Sequence, residues 1–288
     1  MLPTFFVIGA AKCGTTSLDH YLAQHPEIHM SPIKEPRFFI ELRPDRQYRG
    51  DNYIGDREEY ERLFDSGAEV RGDNTPSYSM YPFHEGVPAR IHALVPDAKI
   101  VYLVGDPVKR VVAQWMQGVA FGSQQRTLTD ALEGLDRPEH PLVCPGRYAT
   151  QVEQYLQFFP AERIRVVDQD VLRADRRTAL RDVFTFLEVD RDYWSPEFEV
   201  ARNVAKDHRQ VRTGFAGRVR SSRLRRVTEP LPPRAKTALK EATRRVVARK
   251  VERPTLEPHL QARLEEIYRP ETERLRTLTG QTFSGWSV

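Results

Sequence analysis

Three short apolar runs stand far apart along the chain, at residues 5–8, 101–104 and 164–167, the third interrupted only by Arg165. A strand with one wet face alternates apolar and polar positions, whereas an unbroken run rich in Val and Ile suits a strand buried on both faces. Helix-length amphipathic stretches separate the runs, and parallel neighbours need crossovers of that length. The pattern predicts an α/β fold, a central parallel sheet flanked by helices. No internal repeat or low-complexity linker interrupts it, so one domain over residues 1–288 is expected.

The first run leads into Gly9-Ala10-Ala11-Lys12-Cys13-Gly14-Thr15-Thr16-Ser17 and then a helix start. This order reads as a phosphate cradle: Gly9 and Gly14 permit tight turns that aim successive amides at one anion, and the helix presents its positive end to the same point. The expected contacts are Ala11, Lys12, Cys13, Gly14, Thr15, Thr16 and Ser17. A Walker A loop, G-x-x-x-x-G-K-[ST], carries its lysine directly after the second glycine. Thr15 occupies that place and the lysine lies inside the loop at Lys12, which weakens an ATPase or kinase reading. Cys13 reads as a small residue beside the cradle; the alternative is a thiolate made reactive by Lys12.

Further motifs follow in order. After His25-Pro26-Glu27-Ile28 come Lys34-Glu35-Pro36-Arg37-Phe38-Phe39, the loop Gly72-Asp73-Asn74-Thr75-Pro76-Ser77-Tyr78, and the apolar run ending in Gly105-Asp106-Pro107-Val108-Lys109-Arg110. Gly146-Arg147-Tyr148-Ala149-Thr150-Gln151, the segment 203–209 and the ending 264–286, with Tyr268, Pro270, Leu275, Gly280 and Trp286, complete the series. The set resembles the sulfotransferases that use PAPS (3′-phosphoadenosine 5′-phosphosulfate), of the bacterial and heparan-sulfate type, over nearly the whole chain. The resemblance implies a P-loop-like sulfotransferase fold and transfer of a sulfuryl group from PAPS to a hydroxyl, or an amine, of a small-molecule or lipid-like acceptor.

It also implies roles. Lys12 would stabilise the transferred group. Glu35 would take the acceptor's proton, with Lys34 orienting Glu35 or touching the sulfuryl group and His84 as the other candidate base. Asn74, Tyr78 and Tyr148 would line the acceptor side, and Lys109, Arg110 and Arg209 would hold the nucleotide. Two expected ligands of the 3′-phosphate are replaced, by Gly105 and Ala113. That keeps two alternatives open: a donor without a 3′-phosphate, such as adenosine phosphosulfate or an aryl sulfate, and a catalytically silent family member.

Composition narrows the setting. The two cysteines, Cys13 and Cys144, form neither a disulfide framework nor a metal spacing, so no metal is expected. No apolar run approaches the ~18 residues of a membrane span, and the N-terminus lacks the order of a signal peptide; a cytoplasmic location is expected. The net charge of +4 comes largely from residues 218–253, read as a basic loop and helix insertion with the helix starting near Arg234. That segment reads as a solvated face or as a contact for an anionic acceptor or membrane surface. It contains no aromatic residue, which argues against specific nucleic-acid binding.

Overall fold

The structure is a computed structural model that describes residues 1–41, 52–199, 209–211, 248–250 and 253–288. Five strands form one sheet: β1 (Phe5–Gly9), β2 (Ile28–Met30), β3 (Val70–Asn74), β4 (Lys99–Val104) and β5 (Ile164–Asp168). Their order is β2-β3-β1-β4-β5, and every neighbouring pair runs parallel. Every residue of β1 is buried, and so is all of β4 after Lys99. The three short apolar runs therefore become the three strands β1, β4 and β5.

Among the described residues, eight α-helices accompany the strands up to residue 187: α1 (Thr15–Leu22), α2 (Arg57–Arg62), α3 (Val87–Leu94), α4 (Pro107–Phe121), α5 (Leu128–Ala131), α6 (Tyr148–Leu156), α7 (Gln169–Ala174) and α8 (Arg176–Leu187). A last helix, α9, spans Pro258–Thr279. Several starts follow the side-chain chemistry of a helix cap. Asp56 accepts the Glu59 amide at 2.8 Å before α2, and Asp175 accepts the Thr178 amide at 3.0 Å before α8.

Part of the sequence reading changes here. Residues 72–74, read as part of a loop, are the end of strand β3, and a 3₁₀ turn over Pro76–Ser79 follows. Val-Arg-Gly-Asp-Asn carries no strand pattern by itself; its register against β1 and β2 makes it a strand. Asp73 then sits fully buried, accepting from the hydroxyls of Tyr60 at 2.8 Å, Thr75 at 2.6 Å and Tyr78 at 3.0 Å. Burial pushes its carboxyl up to about 6, and the three hydroxyl donors oppose that rise.

The chain divides into two compact units. One comprises Met1–Val111, Gly134–Asn203 and Gln261–Val288, and holds the five-stranded sheet with its core. The other comprises Val112–Glu133 and Val204–Leu260, and contains the antiparallel pair β6 (Arg209–Val211) and β7 (Ala248–Lys250). The expected basic helix from about Arg234, and most of segment 218–253, lie outside the described residues. No helix among the described residues is long and apolar enough to cross a membrane.

Candidate active site

The ends of β1, β4 and β5 lie side by side, and in a parallel sheet that edge is where ligands bind. The loop after β1 is held by its own turn, with the Cys13 amide on the Ala10 carbonyl at 3.0 Å and the Ser17 amide on the Gly14 carbonyl at 2.9 Å. Gly14 caps α1 at φ 95° without a side-chain bond, a conformation that a glycine adopts at little cost. The amides of Gly14, Thr15 and Thr16 belong to the first turn of α1, whose N–H groups lack helical partners and carry its positive end.

Lys12 sits in this loop at φ 75°. It makes no hydrogen bond or ion pair among the described residues. Burial pulls its ammonium below the ordinary lysine range; Cys13 opposes this, Lys34 adds to it, and Glu35 opposes it. Lys12, Lys34 and Glu35 are thus electrostatic neighbours although 22 positions separate the two lysines in sequence. Glu35 at φ 58° and Arg37 at φ 56° adopt the same left-handed backbone. Non-glycine residues are uncommon there and gather at functional sites.

The partners of this cluster differ from expectation. Arg37, not Lys34, orients Glu35: its Nη2 donates to Glu35 Oε2 at 2.6 Å. Lys34 instead donates from Nζ to Thr16 Oγ1 in the first turn of α1. Burial also lowers the Lys34 ammonium, with Asp19 and Glu35 opposing. Asp19, one turn into α1, has its carboxyl raised chiefly by burial and accepts Asn74 Nδ2 at 3.0 Å. Arg37 and Asp19 were both missed; each lies two positions beyond a predicted site residue, Glu35 and Ser17, but only the fold shows which partners they engage.

The acceptor-side assignments are corrected toward support. The Asn74 amide binds the Thr15 carbonyl at 2.9 Å as well as Asp19, so it ties β3 to the start of α1. Tyr78 is buried on Asp73, and Tyr148 is buried with its hydroxyl donating to the Gly105 carbonyl at 2.7 Å and 3.4 Å from Cys13 Sγ. Both tyrosines brace loops from inside. Gln151 does similar work, accepting the Tyr81 amide and donating to the Tyr81 carbonyl, each at 2.8 Å. Cys13 is buried and its thiol is pushed up to about 11 by that burial, so the thiolate alternative fails. His84 stacks its ring edge-on to Phe83 at 4.9 Å between centroids, in the turn before α3.

The loop after β4 has kept its shape and engaged its cations. Asp106 accepts the amides of Val108 and Lys109 at 3.0 Å each, and that of Ser287 at 3.1 Å. Lys109 Nζ pairs with Asp106 Oδ2 at 2.9 Å. Arg110 is buried, donating to the Leu142 carbonyl and set beside Tyr268, Tyr148 and Cys13. The expectation that Arg110 grips a nucleotide is therefore corrected: its guanidinium joins the interior of the fold. The Arg209 side chain lies outside the described residues. No cluster of His, Cys, Asp and Glu among the described residues could hold a metal ion.

A lysine-bearing loop between a buried parallel strand and a helix, with a second lysine and a carboxylate as electrostatic neighbours, has the make-up of an α/β group-transfer enzyme. Residues 3–195 match the model of the Sulfotransferase family, and the chain belongs to that family. Among curated proteins it is 31% identical over 204 residues to the mouse (Mus musculus) bifunctional heparan sulfate N-deacetylase/N-sulfotransferase 4. That match covers 67% of this chain and 23% of the relative, so the chain spans about a quarter of the relative's length. The crystal structure of a sulfotransferase from Alicyclobacillus acidocaldarius superposes with a TM-score of 0.70 at 27% identity, covering 99% of this chain and 98% of that one. Mouse sulfotransferase SULT7A1, solved in complex with PAP, shares the fold at a TM-score of 0.53 and 14% identity, over 95% of this chain and 84% of that one.

Proposed function

We propose that the chain transfers a sulfuryl group from PAPS to a hydroxyl or amine of a small-molecule or lipid-like acceptor. The convergence of Lys12, Lys34 and Glu35 at the mouth of one anion loop carries this reading. Sulfuryl transfer spreads charge over peripheral and bridging oxygens, so positioning and charge neutralisation supply most of the rate. Lys12 offsets the charge that builds on the bridging oxygen as the sulfur–oxygen bond to phosphate breaks. Glu35, held by Arg37, takes the proton from the acceptor atom as that atom bonds to sulfur. The name of the mouse relative keeps an amine acceptor beside a hydroxyl. The free cysteines, both buried, accord with a reducing, cytoplasmic setting.

The test is a transfer assay with ³⁵S-labelled PAPS over a panel of alcohols, phenols, amines and glycans, with Lys12→Ala as the blank. Label on an acceptor with the parent protein alone supports the reading; label on none overturns it. A second reading, a donor without the 3′-phosphate, is favoured by one observation. Lys109 and Arg110 are both engaged within the protein, and Gly105 offers no side chain. Calorimetric titration with PAP and with AMP separates the two: tighter PAP binding favours PAPS, equal affinities favour the simpler donor, and no binding of either favours a silent member.

A further inference from the structure

One side chain at the strand ends has no role in the site described so far. Gln169 follows the last residue of β5 and is 9% exposed. Its carboxamide makes no hydrogen bond among the described residues, and neither of its polar atoms is fully buried, so the amide is open to a ligand from the strand ends. It lies across the ends of the two neighbouring strands. The position that a β-carbon would take on Gly105, just after β4, is 2.8 Å from Gln169 Oε1 and 3.4 Å from Gln169 Cβ. The corresponding position on Gly14, at the head of α1, is 3.1 Å from Gln169 Nε2. One unpaired amide thus spans from the loop after β4 to the anion loop after β1.

This placement has two chemical consequences. Nε2 is a donor beside the cap of α1, suited to an oxygen of an anion held in that loop, while Oε1 accepts on the side of Gly105. A side chain at position 105 and the carboxamide compete for one space, so the glycine and the glutamine are a matched pair. From the geometry we propose that Gln169 is a specificity-determining residue of the donor site, a neutral ligand for the donor's anionic end that occupies the room above Gly105. The proposal rests on the sulfuryl-transfer reading, in that the anion loop holds the donor.

The experiment is calorimetric titration of the full chain with PAP and with AMP, at two salt concentrations. The proteins are the parent, Gln169→Ala, Gln169→Glu, Gly105→Ala and the Gly105→Ala/Gln169→Ala double variant. Gln169→Glu, nearly isosteric, is expected to weaken both nucleotides at least tenfold, more at low salt, with its melting temperature unchanged. Gly105→Ala is expected to match Gln169→Ala, and the double variant to be no weaker than Gln169→Ala alone, the non-additivity of two changes acting on one contact. Affinities of both Gln169 variants within twofold of the parent overturn the proposal, as does a lowered melting temperature with affinity intact. Full additivity in the double variant overturns the matched pair. A parent that binds neither nucleotide overturns this proposal and the donor reading together, whereas a parent that binds while the variants match it overturns this proposal alone.

Discussion

The loops after β1 and β4 stand side by side and carry similar residues, yet their charges are used in opposite ways. In the first, Lys12 has no partner among the described residues and the start of α1 carries no side-chain cap. In the second, Lys109 is bound to Asp106, and Arg110 is drawn inside. The lesson is that a motif specifies a backbone path more firmly than it specifies a ligand. Asp106 shapes the second loop by accepting main-chain amides on Oδ1 and pairs with its neighbouring cation through Oδ2. The first loop is shaped by glycine, by main-chain bonds and by side chains that engage Cys13, Thr15 and Thr16 but not Lys12, which leaves its lysine available for chemistry.

If that contrast holds, substitutions in the first region act on rate and those in the second barely register. Lys12→Ala is expected to lower kcat about 10³-fold with the melting temperature within about 2 °C of the parent; labelled-sulfate transfer and thermal melts measure the two. Retained turnover breaks the comparison at its strongest point. Glu35→Gln is expected to cost about 10²-fold in kcat while PAP affinity stays within twofold by calorimetry. A loss confined to donor affinity would reassign Glu35 to binding.

The wall behind the first region offers a thermodynamic test. Asp73 is raised to about 6 in the folded chain against about 4 when unfolded, so between those values the folded state holds more proton. Its contribution to stability is complete below the unfolded value and is lost as pH rises through about 6. Denaturant unfolding is expected to show a loss on the order of 2 kcal/mol from Asp73 between about pH 4 and pH 7, absent in Asp73→Asn. The smallest effect is expected in the second region: Lys109→Ala removes a pair whose lysine is 60% exposed, and such pairs contribute little. PAP affinity should move less than twofold, and a tenfold loss would show that Lys109 leaves Asp106 for the ligand.

Much of the fold was legible because it is local. The run at 5–8, the two glycines and the lysine of the first loop, and the apolar runs of β4 and β5 each declare their structure within a few neighbours. β3 was not, since a strand with arginine, aspartate and asparagine is stable only between β1 and β2. The motif residues Lys12, Lys34 and Glu35 were legible as a set, but their partners were not. Arg37 reaches Glu35 two positions away through a left-handed backbone at both residues, and Lys34 reaches Thr16 across 18 positions of sequence.

By itself the amino-acid order determined the parallel sheet, the anion loop and the place of Lys12 within it, because apolar runs and glycine act over a turn or a strand. Tertiary structure alone decided which polar groups face a ligand and which brace the interior. Arg110 and Tyr148 look like site residues in sequence and are buried supports; Gln169 looks like an ordinary helix start and lies across the strand ends. The reason is that burying an unpaired polar group is costly. Each such side chain is therefore assigned by what the fold brings within about 3 Å of it, across separations that no local pattern encodes.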